Sequence, residues 1–201
     1  MSDEQTVQLY MRRLDVTDLP DVQLDAGYTL RTFQPGDEAA WDEIIADSFD
    51  NDTMHFDGVI AKSEGYKPER TFMIFCGDEP VATTAMLLSR EGPGTEVGAK
   101  TGYIHWVGGK KAHAGHRLGY NVVLATMHQI VAEGFEYIGL STDDFRIPAI
   151  VTYLKLGFDP VMVDEGMRAR WIKIFETINK PELTQQYADM LNGPIVGYTE
   201  P

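Results

Sequence analysis

At 201 residues with 43% apolar content, the chain suits one domain with a sizeable core and is too hydrophobic to be globally disordered. A net charge of −14 excludes a general affinity for polyanions such as DNA, and no apolar run approaches the roughly 20 residues of a membrane helix. The one cysteine, Cys76, can form no internal disulfide, and together with the acidic, polar start MSDEQTVQ it points to a reducing cytoplasm rather than a secreted protein.

Residues 1–27 read as an N-terminal extension. In it Val7, Leu9 and Met11 alternate as in a short strand, before Asp18-Leu19-Pro20-Asp21 breaks the pattern. Tyr28–Phe33 alternates again. Pro35-Gly36-Asp37 ends that strand, and Asp37 is placed to cap a helix carrying Ala40, Trp41, Ile44, Ile45 and Phe49 at helical spacing. Residues 50–69 are expected to hold an irregular helix. Arg70–Cys76 and Pro80–Leu88 are apolar and meet at Gly77-Asp78-Glu79, which predicts a hairpin. Cys76 sits in the first of these strands and reads as core. Gly92-Pro93-Gly94 marks a loop, Thr101–Gly108 a strand, and Arg117–Glu133 a long amphipathic helix. Phe135–Ser141 is a further strand. Ile147–Leu156 is a helix whose left-handed exit falls at Gly157. Phe158–Val163 and Ala169–Phe175 are expected to pair as closing strands, followed by a short helix and coil after Ile178. The alternation in the second half requires part of the sheet to be parallel.

Lys110-Lys111-Ala112-His113-Ala114-Gly115-His116-Arg117 is the densest basic run of an acidic chain. It lies where a strand ends in Gly108 and Gly109 and a long helix begins. Unpaired N–H groups at a helix start, with glycines that let a ligand approach the backbone, make a cradle suited to a pyrophosphate. The absence of Gly-x-x-x-x-Gly-Lys-Ser/Thr and of Gly-x-Gly-x-x-Gly argues against a nucleotide-binding α/β domain.

Ala114-Gly115-His116-Arg117-Leu118-Gly119 resembles motif A of the GNAT N-acetyltransferases, Gln/Arg-x-x-Gly-x-Gly/Ala. Ala114 stands at the Gln/Arg position and Arg117 at the first Gly position. Arg146-Ile-Pro-Ala-Ile-Val-Thr-Tyr-Leu-Lys-Leu-Gly-Phe158 is similar to the family's Asn-x-x-Ala-x-x-x-Tyr-x-Lys-Leu-Gly-Phe segment, with Arg146 in place of Asn. By element order the resemblance covers residues 28–175. It implies a mixed, twisted sheet with helices on both faces, in a GNAT-like acyltransferase domain over 28–178 followed by a tail over 179–201.

The resemblance also implies a chemistry. An acetyl group would pass from acetyl-CoA to a primary amine of a small molecule or peptide by direct attack, without a metal or a covalent intermediate. The alternative is a non-catalytic CoA-binding or sensing module. Gly115, His116, Arg117, Leu118, Gly119 and Tyr120 would hold the pyrophosphate. Val107, Gly108 and Gly109 would flank the pantetheine arm, at a bulge that the two glycines suit. Tyr153 takes the position of the family's general acid; on the residues alone it is also a buried aromatic of an amphipathic helix. His105 matches one of two strand histidines of the arylalkylamine N-acetyltransferases, with Tyr103 at the other. That makes it the candidate base, beside the simpler reading of a core histidine. His128 has no assigned role. Loops 50–69 and 90–100 would shape the acceptor site, and the extension and tail would add walls or a homodimer contact.

Overall fold

The computed structural model of the chain describes residues 7–88 and 100–197. The Gly92-Pro93-Gly94 loop, nearly all of the 90–100 acceptor loop and most of the acidic MSDEQTVQ start lie outside the described residues.

Seven strands are described: β1 Leu9–Arg13, β2 Tyr28–Thr32, β3 Thr71–Cys76, β4 Glu79–Leu87, β5 Thr101–Gly109, β6 Tyr137–Thr142 and β7 Asp159–Val161. The α-helices are α1 Glu38–Phe49, α2 Phe56–Val59, α3 Leu118–Ala132, α4 Ile147–Lys155, α5 Met167–Thr177, α6 Glu182–Gln186 and α7 Ala188–Asn192. The strands form one mixed, twisted sheet in the order β2-β3-β4-β5-β6-β1-β7. Among the described strands only the β5–β6 pair is parallel; every other pair is antiparallel. The strand read in the extension is therefore an interior strand. It pairs with β6 through Leu9–Thr142 to Arg13–Ile138 and with β7 through Tyr10–Val161 to Arg12–Asp159.

Helices cover both faces of the sheet. On one face Trp41, Ile44 and Ile45 of α1 bury against Met73 and Ala85, together with Phe33 and Phe56. Phe33 and Phe56 stack with ring centroids 4.3 Å apart. On the other face Val123, Leu124 and Met127 of α3 and Ile150 of α4 meet Leu9, Met11, Ile104 and Leu140. β1 serves both faces: Leu9 and Met11 look toward α3 and α4, while Tyr10 packs with Tyr103 and Val161 on the opposite side.

Two local expectations are corrected. Ala169–Phe175 is not a strand but lies within α5. Its run of Trp171, Ile172, Ile174 and Phe175 is rich in residues that favour strands, yet the buried set is Met167, Trp171, Ile174 and Phe175, at helical spacing. Those side chains join the α3/α4 core instead of extending the sheet. Asp37 stands at the start of α1 but caps nothing through its side chain. Its carboxylate accepts from Arg31 at 2.6 and 2.9 Å and from the Gln34 amide at 2.7 Å, tying β2 to the turn that follows it.

Candidate active site

The parallel ladder between β5 and β6 runs from Thr101–Tyr137 to Ile104–Leu140 and stops there. Beyond it the two strands diverge around a cleft of about 1140 Å³. On its other edge β5 follows β4 as far as His105–Ala85, then slips, resuming at Gly108–Thr83 and Gly109–Ala82. Trp106 and Val107 together face Thr84, which is a β-bulge. Trp106 takes a left-handed backbone with φ of 53°, a conformation costly for a bulky residue, on the order of 1–3 kcal/mol. Its ring lies 5.7 Å from Trp41 and 6.0 Å from Phe49. The Thr84 hydroxyl donates to the His105 carbonyl at 3.2 Å.

The bulge thus falls at Trp106-Val107 and not at the glycines. Gly108 has another reason to lack a side chain: a Cβ there would stand 3.0 Å from Ile45 and 3.3 Å from Ile44. It is the residue that lets α1 lie close on β5.

After β5 the chain makes a 3-10 turn over Lys111–His113, passes Gly115 with φ of +95°, and turns through Arg117 with φ of 53° into α3. The first helical bond runs from Asn121 N–H to the Arg117 carbonyl at 3.0 Å. The amides of Leu118, Gly119 and Tyr120 therefore precede the helical ladder and have no carbonyl one turn back within it. A Cβ on Gly115 or Gly119 would meet nothing within 4 Å, so the helix opens onto clear space.

Carboxylates neutralise most of the basic run. Lys110 is buried between Glu43 and Glu79, with Glu79 at 3.1 Å. Burial works against its charge, but the two carboxylates more than offset it and carry the ammonium above its usual pKa. Lys111 pairs with Asp50, His116 with Asp25 at 2.8 Å, and His113 sits between Tyr28 at 2.9 Å and Glu79 at 3.3 Å. Among the described residues Arg117 alone of this run has no ionic partner. The groups left to meet an anion here would be backbone amides and one guanidinium. Every residue expected at the donor site lines the cleft except His116, which turns to Asp25.

Tyr153 of α4 and His105 of β5 also line the cleft, from opposite sides. Tyr153 belongs to the α3/α4 core, is 5% exposed, and meets Phe158 edge-on at 6.0 Å. Burial raises its phenol pKa well above the ordinary value, with the Arg146 charge pulling slightly the other way. The hydroxyl therefore stays protonated at any physiological pH. His105 stands opposite Ala85, whose side chain lies in the α1 core, so the imidazole faces the α1 side. Its ring is 6.5 Å from that of Tyr103 on the same strand face. A phenol and an imidazole thus sit on the two faces of the sheet, at the gap where it opens.

Some of the walls were not legible in the sequence. The segment between β1 and β2 crosses α3: His128 bonds the Pro20 carbonyl at 2.9 Å, and the Gln23 amide donates to Asn121 at 2.9 Å. Pro20, Asp21 and Gln23 line the cleft as a result. Phe49, Asp143 and Phe145 line it too. No motif announces such contacts, which join residues up to about a hundred positions apart. Cys76, half-buried at the end of β3, is not part of the cleft.

Three comparisons bear on this geometry. The model of the acetyltransferase (GNAT) family matches residues 37–158, more than half of the chain. A mycothiol acetyltransferase of Thermomonospora curvata is 29% identical over 168 residues, covering 79% of this chain and 53% of that protein. The chain thus spans about half the length of this curated relative. Among solved structures, a GCN5-related N-acetyltransferase from Sphaerobacter thermophilus superposes with a TM-score of 0.61 at 23% identity, over 76% of this chain and 47% of the other. One from Kribbella flavida gives 0.51 at 20% identity, over 76% and 54%. At these identities the structural likeness speaks for the fold.

Proposed function

Because the chain belongs to the acetyltransferase (GNAT) family, we propose that it transfers an acetyl group from acetyl-CoA to a primary amine of a small molecule or peptide by direct attack. The observation that carries this reading is the cleft between the diverging ends of β5 and β6. Helix amides stand at its mouth, and Tyr153 and His105 lie on its two sides.

The donor suits this cleft. The amides of Leu118, Gly119 and Tyr120 would receive the pyrophosphate, with Arg117 adding charge. The Val107–Gly109 segment, where β5 has no β6 partner, would receive the pantetheine amides as a strand edge receives a peptide. The open space at Gly119 leaves room for the phosphates against the backbone.

Chemistry follows from the two-sided arrangement. The amine lone pair attacks the thioester carbonyl, so a C–N bond forms while the C–S bond breaks. The departing thiolate takes the proton of the Tyr153 hydroxyl. The amine loses a proton to His105, directly or through one water. Burial keeps the phenol protonated until the thiolate departs. The acidic protein as a whole attracts a cationic amine.

The test is turnover of acetyl-CoA by an amine panel, read as free thiol, beside a direct measurement of CoA binding. Amine-dependent thiol release is expected. CoA binding without turnover of any amine would leave a CoA-binding module in place of an enzyme.

A further inference from the structure

Arg146 departs from the Asn expected at the start of α4, and its surroundings give it a specific chemistry. Its guanidinium carbon lies 4.0 Å from the centroid of the Phe49 ring and 5.2 Å from that of Phe145. Its Nε donates to Asp143 at 3.0 Å, and Asp143 in turn accepts from Gln8 at 3.0 Å. The plane is therefore fixed by an aromatic face and by a carboxylate that is itself held. About three-quarters of the side chain is buried, with 26% exposed. Among the described residues nothing accepts from Nη1 or Nη2. A partly desolvated guanidinium with four unanswered N–H groups is costly unless a ligand or water accepts them. The free Nη edge offers two N–H groups side by side, the arrangement that matches a carboxylate.

Position assigns that carboxylate to the acceptor. Phe49 ends α1, so the Arg146–Phe49 contact spans the mouth of the cleft on the α1 face. His105 is on that face, whereas the amide cradle of α3 is on the other. The neighbouring wall is aromatic: Phe49, Trp106 and the 76%-exposed Phe145.

We propose that Arg146 receives a carboxylate carried by the acceptor, so that the amine acetylated here belongs to an amino carboxylate with an apolar side chain. The inference rests on the acetyl-transfer reading above. Arg146 then acts as a specificity residue. It anchors the acid end of the substrate, the apolar part lies along the aromatic wall, and the amine is left toward His105 and the thioester.

The experiment uses acetyl-CoA with phenylalanine, phenylalaninamide and phenethylamine, in the wild type and in Arg146→Gln. The ratio of variant to wild-type kcat/KM for each amine cancels their differing basicities. For phenylalanine that ratio should fall by roughly 10- to 100-fold, the loss expected for a charge-assisted pair. The two amines without a carboxylate should lose much less, and equally, since whatever the Arg146 charge does for the Tyr153 phenol is common to all three amines, with the KM for acetyl-CoA unchanged. Arg146→Lys should recover part of the loss, and serves in its place if Arg146→Gln does not fold. Arg146→Glu should turn the preference toward phenylalaninamide and phenethylamine. Equal losses for all three amines, or a raised KM for acetyl-CoA alone, would overturn the assignment. Wild-type protein that acetylates other amines of the panel but not phenylalanine overturns this inference alone, whereas wild-type protein that binds CoA and acetylates no amine at all removes the acetyl-transfer reading, and this inference with it.

Discussion

At the scale of single residues, burial decides what Tyr153 can do. A phenol near pKa 10 in water would begin to lose its proton in mild base. Enclosure in the α3/α4 core moves that loss further up. Tyr153→Phe keeps the packing and removes the donor, so kcat should fall by roughly 10²-fold while the Kd for CoA holds. An unchanged kcat with a competent acceptor would make Tyr153 a packing residue only. For the same reason the kcat profile of the wild type should show no downturn from this group below about pH 10. His105 is tested at the other end of the scale. If it takes the amine proton, the acidic limb of kcat/KM should vanish or move in His105→Gln, and a limb that persists there returns His105 to a structural role. The roles proposed for both come only from the family resemblance, since their spacing alone fits core positions equally well. Arg146 was legible as a departure from the motif. Its stacking on Phe49, nearly a hundred positions away, was not.

At the scale of elements, the start of α3 is the sharpest site to probe. Gly119 is the second residue of the helix, within the first turn, where proline is tolerated because its missing N–H has no helical partner anyway. Gly119→Pro should therefore keep its Tm close to that of the wild type and weaken CoA binding by at least about tenfold, as one amide of the cradle is lost. A calorimetric titration that finds equal affinity in the folded variant would move the pyrophosphate elsewhere. Helices with a wide apolar stripe, such as α3, could be read from the sequence to within a residue at each end, because their periodicity is long enough to exclude other readings. α5 could not. A seven-residue window rich in aromatic and β-branched residues suits a short strand or a short helix, and only the tertiary core chose between the two. The bulge was misplaced for a related reason. Glycines advertise unusual backbone, but here Gly108 answers to the approach of α1, while the left-handed turn is borne by Trp106 and held by aromatic packing. No local rule assigns positive φ to a tryptophan.

At the scale of the whole molecule, two long-range ties set stability. Arg70, 5% exposed before β3, holds Glu133 just beyond the end of α3 with paired bonds, Nε lying 2.9 and 3.0 Å from the two oxygens. Glu133→Gln leaves a buried guanidinium poorly answered and should cost about 3 kcal/mol in denaturant unfolding. Hydrogen bonding from Arg70 holds the Glu133 pKa below its ordinary 4.5. A depressed carboxylate stabilises the fold above its unfolded pKa, and that contribution is lost as pH falls through the folded value. Tm should decline between about pH 5 and 3 in the wild type, and less steeply in Glu133→Gln. The second tie is β1, with Leu9 and Met11 fully buried between β6 and β7. Deleting residues 1–13 should abolish cooperative thermal unfolding. A deletion product that still melts sharply would show that the sheet closes without them. The placement of β1 also sets an order of events at synthesis. Its partners lie up to some 150 positions downstream, so β1 must wait, unpaired, until almost all the rest of the sheet has been made. Such distant pairing is slow to nucleate, because the chain must close a long loop before any contact rewards it. Until then an apolar segment and the bare flank of β6 are both open to strangers, which makes the nascent chain a client for holding chaperones and makes exchange of β1 between two copies its natural misassembly.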